Sequence, residues 1–287
     1  NKIILANENS MTPVDSNKLI FMDESDVKDS HKKEIDKSYP IILPFNMKYR
    51  EYLEHDSTGT TVYIKVDRDN VLAAVWLLDD LRDFNFSLRV DFEEGEIDAG
   101  GPRREFIDLA FRTIVQPETD LFVLKNGRYW FKYHRTMTED LKKKYRSIGM
   151  LLGIAIINRL TIPIHFPRYF YKKLLHRNIY ITDLNIYDPE LFSSLTGLLE
   201  NELTEDLDFT YCDSSGEYEI DLTNFSYVED PYNFEPAPLN EKNKVEFISK
   251  IAEWVFDISV KESFAAFEEG YKKVNTNSML YSSFMLD

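Results

Sequence analysis

Cysteine is nearly absent from this chain, since Cys212 is the only one among 287 residues. A single cysteine excludes a disulfide framework and any zinc site built on cysteine pairs. The five histidines are scattered and show neither an HExxH motif nor another paired ligand spacing, so we expect no metal site. The glycine-rich loops that bind phosphates are missing as well, and we expect no cofactor.

Long apolar runs and targeting signals are also missing. No uninterrupted apolar stretch approaches the ~20 residues that span a bilayer, and no signal peptide is visible. We therefore expect a protein of the cytoplasm or nucleus with no membrane contact. The chain begins with Asn rather than Met, which we interpret as a piece excised from a longer protein. Its hydrophobic content of 43% supplies ample material for a folded core.

Positive charge is missing from one long stretch of the chain. Residues 178–241, the acidic segment, contain 16 Asp and Glu but no Lys or Arg. The whole chain has 34 basic and 50 acidic residues, so this segment carries the entire net charge of −16. It would repel a phosphate backbone, and we expect no nucleic-acid partner. A basic protein partner would be steered towards it; the alternative is an acidic face that only contacts solvent.

Local patterns predict an α+β fold that is mainly α. The dipeptide Asn126-Gly127 between two apolar runs predicts a β-hairpin. Thr136 and Glu139 suit a capping box for a helix that is apolar on all sides over residues 148–157, as in a buried central helix. Helices and hairpins without βαβ alternation are typical of α+β proteins. The other main predicted elements are helices over residues 71–81, 189–203, 241–258 and 260–274 and strands over residues 206–212 and 218–222.

The predicted helix of the acidic segment carries two apolar faces. Leu191, Leu195 and Leu198 recur at helical spacing on one side, while Phe192 and Leu199 lie on another. A short helix needs one face for its own core. The other face could then serve as a docking surface, and the alternative is that both are buried.

Two features could be mistaken for catalytic groups. Cys212 lies in a strand-like context without a nearby His or Lys, and acidic neighbours raise a thiol pKa. We therefore interpret it as structural. Asp98, Arg104 and Glu105 flank a glycine pair, and we interpret them as charged residues that lock a tight turn rather than as an acid–base cluster.

The sequence resembles the HECT-type ubiquitin ligases. Residues 94–106, EGEIDAGGPRREF, are similar to the family signature EEGxDxGGxxREF, with the first glycine one position earlier. Ordered similarities continue from about Val62 to Val274. They include Ile148-Gly149, Leu152-Gly153, Tyr171-Lys-Lys-Leu174, Asp188-Pro-Glu-Leu191, Leu207-Asp-Phe-Thr210 and Asn243-Lys244.

The resemblance implies a two-lobed catalytic domain of which this chain is the amino-terminal lobe. It implies a large helical subdomain over residues 61–177 and 237–287, an inserted small subdomain over residues 178–236, and an extension over residues 1–60. The family passes ubiquitin to a cysteine in a Thr-Cys-Phe motif of the carboxyl-terminal lobe. Cys212 does not match that motif, so we expect no catalytic residue here and no activity from this chain alone.

The resemblance also implies two partners, a ubiquitin-conjugating enzyme and ubiquitin. In the family the small subdomain contains the groove that docks the conjugating enzyme. Asn201 stands where relatives can carry an aromatic residue, and Ala99 replaces a tyrosine that one branch uses near a second ubiquitin. The docking positions implied here are Leu191, Ser194, Leu195, Leu198, Asn201 and Leu207.

Two other interpretations remain open at this level. A degenerate relative could retain the lobe as a non-catalytic binding scaffold, and a following lobe with a Thr-Cys-Phe-like loop would distinguish the enzyme from that scaffold. The third interpretation is an unrelated acidic helical adaptor.

Overall fold

The computed structural model describes residues 61–81, 87–92, 101–203, 207–212 and 218–274. A parallel pair of strands opens this part of the chain: β1 (Thr61–Val66) lies beside β2 (Ser87–Phe92), with Val62 opposite Leu88. Helices α1 (Val71–Trp76) and α2 (Gly101–Ile114) pack against this pair and against each other. The helix predicted over residues 71–81 is shorter than expected, because a 3₁₀ turn at Leu78–Asp80 replaces its end.

The hairpin predicted at Asn126-Gly127 is confirmed. Strands β3 (Phe122–Lys125) and β4 (Arg128–Phe131) pair antiparallel. Both turn residues have positive φ, 47° for Asn126 and 72° for Gly127, the backbone region that a two-residue hairpin turn requires.

Two long helices cross at the centre of the core. Helix α3 (Glu139–Ile157) packs along α8 (Lys261–Val274) in the most extensive contact between described elements. Gly149 faces the α8 backbone and Gly270 faces the α3 backbone so closely that neither position has room for a Cβ. The predicted capping box is wrong: Thr138 caps α3, and its hydroxyl accepts a hydrogen bond from the Leu141 amide at 3.2 Å.

Aromatic rings join the hairpin to these helices. Phe131 lies 5.6 Å from Tyr145 of α3 and 5.5 Å from Phe267 of α8, measured between ring centroids. Helix α4 (Arg168–Leu174) adds Phe170, whose ring stacks with Phe131. Such ring pairs stabilise a core by ~0.5–1.5 kcal/mol beyond the area that they bury.

A partly buried ion triad fastens the 3₁₀ turn to the crossed helices. Asp79, with a side chain 9% exposed, lies 2.9 Å from both Arg146 of α3 and Lys273 of α8. Burial alone would raise the pKa of the Asp79 carboxyl, but the hydrogen bonds and charges of its two partners together lower it. The triad therefore ties three elements together.

The acidic segment folds into short elements. Its helices are α5 (Leu184–Tyr187) and α6 (Pro189–Glu200). Strands β6 (Thr210–Cys212), β7 (Glu219–Asp221) and β8 (Ser226–Tyr227) form an antiparallel sheet, and β5 (Leu207–Asp208) pairs with β9 (Pro238–Leu239). The predicted helix and both predicted strands of this segment are confirmed, with the first strand divided at Phe209.

Two helical stretches follow the acidic segment. Helix α7 (Lys244–Glu253) passes into a π-helical turn, Trp254–Ile258, before α8 begins. The fold is thus mainly helical with small sheets, as predicted. Over the residues described, we find no helix with the length and hydrophobicity needed to cross a membrane, and no cluster of three or more metal-ligating side chains occurs in those same ranges.

Candidate docking surface

Helix α6 is defined by clear start and stop signals. Asp188 caps it, with its carboxylate accepting a hydrogen bond from the Leu191 amide at 3.0 Å. Pro189 occupies the first turn, where its missing N–H costs nothing. The helix ends at Glu200, and Asn201 is its C-cap.

The faces of α6 differ in exposure. Leu195 is only 6% exposed and belongs to the core. Leu191 and Leu198 are half-buried on its shoulder, and Ser194 is exposed on the outer side of the helix. Helical geometry places the shoulder leucines and Ser194 on one continuous stripe. The first face predicted from the sequence is thus divided, because its central Leu195 is buried while Leu191 and Leu198 are half-buried. Phe192 and Leu199 of the second face are half-buried as well.

Strand β5 contributes a second apolar group. Leu207 is 38% exposed although its strand partner Leu239 is buried. Two residues further on, Phe209 is buried and packs on Phe247 of α7, with ring centroids 5.3 Å apart. Leu207 therefore remains exposed on a short strand whose end Phe209 anchors to α7. We call Leu191, Ser194, Leu198, Asn201 and Leu207 the docking surface.

Asn201 folds back onto its own helix. Its side-chain nitrogen donates to the Gly197 carbonyl at 2.8 Å, and its own carbonyl accepts from Lys244 Nζ at 2.9 Å. The residue is exposed but polar and fully engaged with α6 and α7. This end of the docking surface offers no apolar contact of the kind that an aromatic side chain would provide.

Exposed carboxylates flank the apolar groups along the chain. Glu190 and Glu200 stand at the two ends of α6, and Glu202 and Asp208 follow on the way to and along β5. An apolar centre within a charged rim is the usual anatomy of a protein–protein interface. A rim of negative charge selects a partner with basic residues at its own rim.

The small antiparallel sheet is tied to the helical body at separate points. Tyr218 packs on Tyr133, with centroids 4.9 Å apart, and the Phe225 ring stacks with Trp254 of the π-helical turn. Arg135 forms an ion pair with Glu229 and lies 4.4 Å above the Tyr227 ring. Phe225 has a positive φ of 59°, which costs a bulky residue backbone energy and indicates that its ring contacts hold it there.

The charged residues after the glycine pair have a structural role. Glu105 accepts from Arg68 at 2.7 Å, and this hydrogen bond lowers the Glu105 pKa. Arg103 donates to Asn158 at 2.9 Å, whereas Arg104 is exposed. These contacts fasten the first turns of α2 to neighbouring elements. Asp98, Ala99 and Gly100 lie outside the described residues, so the locked turn itself stays a prediction.

Comparison with known proteins decides the family. A family model described as the HECT domain (ubiquitin-transferase) matches residues 108–284. The chain belongs to the HECT family.

Several HECT relatives are curated ubiquitin-protein ligases. The chain is 34% identical over 223 residues to the probable E3 ubiquitin-protein ligase mug30 of Schizosaccharomyces pombe, and the matched region covers 74% of this chain and 26% of mug30. It is 29% identical over 228 residues to the human probable E3 ubiquitin-protein ligase HERC4, and that match covers 76% of this chain and 21% of HERC4. It is 28% identical over 194 residues to the Saccharomyces cerevisiae E3 ubiquitin-protein ligase TOM1, and that match covers 65% of this chain and 6% of TOM1. The chain thus spans about a quarter or less of the length of these relatives.

Within this HECT chain, Cys212 occupies an ordinary position in a sheet. It is exposed on β6 and lies opposite Glu219 of β7. A carboxylate across the ladder is a poor setting for a thiolate nucleophile, which needs nearby positive charge or a helix N-terminus.

Sequence reasoning missed the residues that support the docking surface. The sequence marks Asn243 and Lys244 only as similarities to the family and indicates no role for them. Their contacts reach residues as much as 43 positions away along the chain, and no local pattern indicates such a contact. The Asn-Lys pair at the start of a helix is the one signal that the sequence offers.

Proposed function

We propose that this chain is the amino-terminal lobe of a HECT domain and that it recruits a ubiquitin-loaded conjugating enzyme. The conjugating enzyme would seat its apolar loop residues against Leu191, Leu198 and Leu207, while its basic residues face the acidic rim. The observation that carries the proposal is that the half-buried Leu191 and Leu198 and the exposed Leu207 occur beside exposed carboxylates on a member of this family.

The proposed lobe has two parts. Residues 61–177 and 237–287 form the larger helical subdomain, and residues 178–236 form the smaller one with the docking surface. Residues 1–60 are an amino-terminal extension. Supporting this division, the small sheet contacts the helical body through a few discrete ring and ion-pair contacts.

The proposed reaction is thioester transfer in the intact protein. Ubiquitin leaves the thiol of the conjugating enzyme, forms a new thioester with a cysteine of the carboxyl-terminal lobe, and then forms an amide with a substrate lysine. Each step exchanges one acyl bond for another, so no cofactor is required. Cys212 is not the acceptor, and the present chain binds without catalysing.

Binding can be measured by titrating a panel of conjugating enzymes against the chain by calorimetry. We expect a subset to bind weakly, and raised salt to weaken that binding, because exposed charges are screened beyond ~8 Å at physiological ionic strength. Leu207→Asp and Leu198→Asp should abolish binding. The matched control is Leu124→Asp, since Leu124 is 59% exposed on β3 and is not part of the docking surface.

Two outcomes would contradict the docking proposal. One is that no enzyme in a broad panel binds; the other is that Leu124→Asp weakens binding as much as Leu207→Asp does. Leu195→Asp is unsuitable here, because the structure buries Leu195 and the variant would disturb folding as well as docking.

Transfer chemistry is tested on the intact protein. A ubiquitin-loaded conjugating enzyme should yield a reducible ubiquitin adduct on the intact protein and none on Cys212 of this chain. An intact protein that binds the conjugating enzyme but never accepts ubiquitin would instead establish the non-catalytic scaffold.

A further inference from the structure

The two halves of the docking surface belong to different elements, α6 and β5, and both are tied to one short stretch of chain. This stretch, residues 238–244, comprises β9 and the first residue of α7, and we call it the anchor turn. Within the anchor turn, Glu241 and Lys244 contact the end of α6 and the residues just after it, and Asn243 contacts the backbone of β9. None of these three residues belongs to the docking surface.

The end of α6 is held to the anchor turn by two side chains. Lys244 Nζ donates to the carbonyl of the C-cap Asn201 at 2.9 Å, and Glu241 Oε1 accepts from the Leu203 amide at 2.7 Å. Lys244 and Glu241 also pair with each other at 2.7 Å. A cation at a helix C-terminus complements the negative end of the helix dipole.

Strand β5 is held by the other end of the anchor turn. Leu207 pairs with Leu239 in the two-residue ladder. Asn243 closes the loop behind that ladder: its side chain donates to the Pro238 carbonyl at 3.0 Å and accepts from the Asn240 amide at 2.7 Å. Lys244 and Asn243 therefore fix α6 and β5 from consecutive positions.

We propose that Lys244 and Asn243 are positioning residues that set the spacing of Leu198 and Leu207 for the conjugating enzyme. This inference rests on the proposed docking function. Interface energy concentrates in a few apolar contacts that require close fit, and supporting residues have to hold such contacts to within about 0.5 Å. Lys244 is suited to this role because its side chain is only 13% exposed.

The charges of Lys244 and Glu241 favour their contact in the anchor turn. The hydrogen bond from Lys244 lowers the pKa of the Glu241 carboxyl, and the Leu203 amide adds to that effect. Glu241 thus remains ionised at neutral pH in its contact with both groups.

The test compares three variants of the full chain in binding to the conjugating enzyme that binds the wild type best. Lys244→Met keeps the length of the side chain but removes its charge and donors, and we expect about tenfold weaker binding, equivalent to ~1.4 kcal/mol. Lys244→Arg retains the charge and should restore affinity to within about threefold of wild type. The matched control Lys242→Met alters an exposed neighbour and should leave affinity unchanged.

Methyl NMR separates positioning from general loss of stability. In Lys244→Met, the free protein should show shifted Leu198 and Leu207 methyl signals, while the methyls of Ile148 and Ile154 in α3 remain in place. If Lys244→Met fails to fold, Glu241→Gln provides the same test, since it removes the charge of a half-exposed partner and should weaken binding about threefold by the same logic.

The outcomes distinguish the positioning role of Lys244 and Asn243 from the docking function on which it rests. If Lys244→Met binds as tightly as the wild type while Leu207→Asp still abolishes binding, the positioning role is overturned and the docking function stands. Where Glu241→Gln replaces Lys244→Met, the same result has the same meaning. Equal loss in Lys242→Met and Lys244→Met also overturns the positioning role. A wild-type chain that binds no conjugating enzyme refutes the docking function, and the positioning role falls with it.

Discussion

Gly270→Ala tests the packing of the crossed helices most sharply. A Cβ at this position would lie 1.9 Å from the Arg146 carbonyl oxygen and 2.6 Å from the Arg146 carbonyl carbon. Both are backbone atoms of α3, so no side-chain rotation can relieve the clash. The helices must separate by about 1 Å to bring the new contact to 3.0 Å, which opens the most extensive interface of the core.

The expected loss follows from two opposing effects. Overpacking of a close-packed core costs ~1–3 kcal/mol, and the upper end applies because backbone must move. Alanine is a better helix former than glycine by ~1 kcal/mol, which partly offsets the clash. We therefore expect a net loss of ~2 kcal/mol in the free energy of unfolding.

Gly197→Ala is the matched control. Gly197 lies inside α6, and a Cβ there meets nothing within 4 Å. Only the gain in helix propensity remains, so this variant should be more stable by ~0.5–1 kcal/mol. Urea denaturation followed by circular dichroism measures both changes. A Gly270→Ala protein as stable as the wild type would refute the close approach of α3 and α8.

Three further predictions concern stability. Leu195→Ala should lower the free energy of unfolding by ~2–4 kcal/mol because Leu195 is buried, and Leu207→Ala by less than ~1 kcal/mol because Leu207 is 38% exposed; equal losses in urea denaturation would contradict the assigned faces. Asp79→Asn should cost ~2 kcal/mol by the same assay, less than a fully buried pair because Lys273 is 29% exposed; an unchanged midpoint would contradict the triad. Burial lowers the His134 pKa below 6.5, so the folded state favours neutral His134, and its contribution to stability is present above pH 6.5 and lost as pH falls through the lowered pKa. Thermal unfolding across this range should show that slope, and His134→Gln should remove it; an identical slope in the variant would assign it to other groups.

The hairpin and α6 could be predicted because their signals are local. Asn126 and Gly127 favour the positive φ that the turn requires, whatever surrounds them. Asp188 and Pro189 mark the start of α6 in the same way. The predicted end of this helix was three residues too far, because the Asn201 side chain and backbone terminate it at Glu200.

The use of each apolar face could not be predicted. Helical spacing placed Leu191, Leu195 and Leu198 on one side, but spacing does not show which part of that side meets the core. Burial of Leu195 depends on packing with elements that are distant in sequence. The contacts of Lys244 with Asn201 and of Glu241 with Leu203 span 43 and 38 residues, so only tertiary structure shows them.

The π-helical turn is another feature with no local signal. The sequence predicts one continuous helix over residues 241–258, whereas the structure has α7 followed by a wider turn at Trp254–Ile258. The Trp130 indole donates to the Val255 carbonyl at 3.2 Å, and Trp254 packs on Tyr133. Contacts with the hairpin and with the loop residue Tyr133 just after it therefore accompany the change of helix type.

The most direct test of docking is methyl NMR of the leucine-labelled chain during titration with an unlabelled conjugating enzyme. The proposed function predicts that the largest signal changes occur at Leu191, Leu198 and Leu207, with little change at Leu124. Changes confined to leucines outside the acidic segment, or no change with any enzyme of the panel, would contradict it.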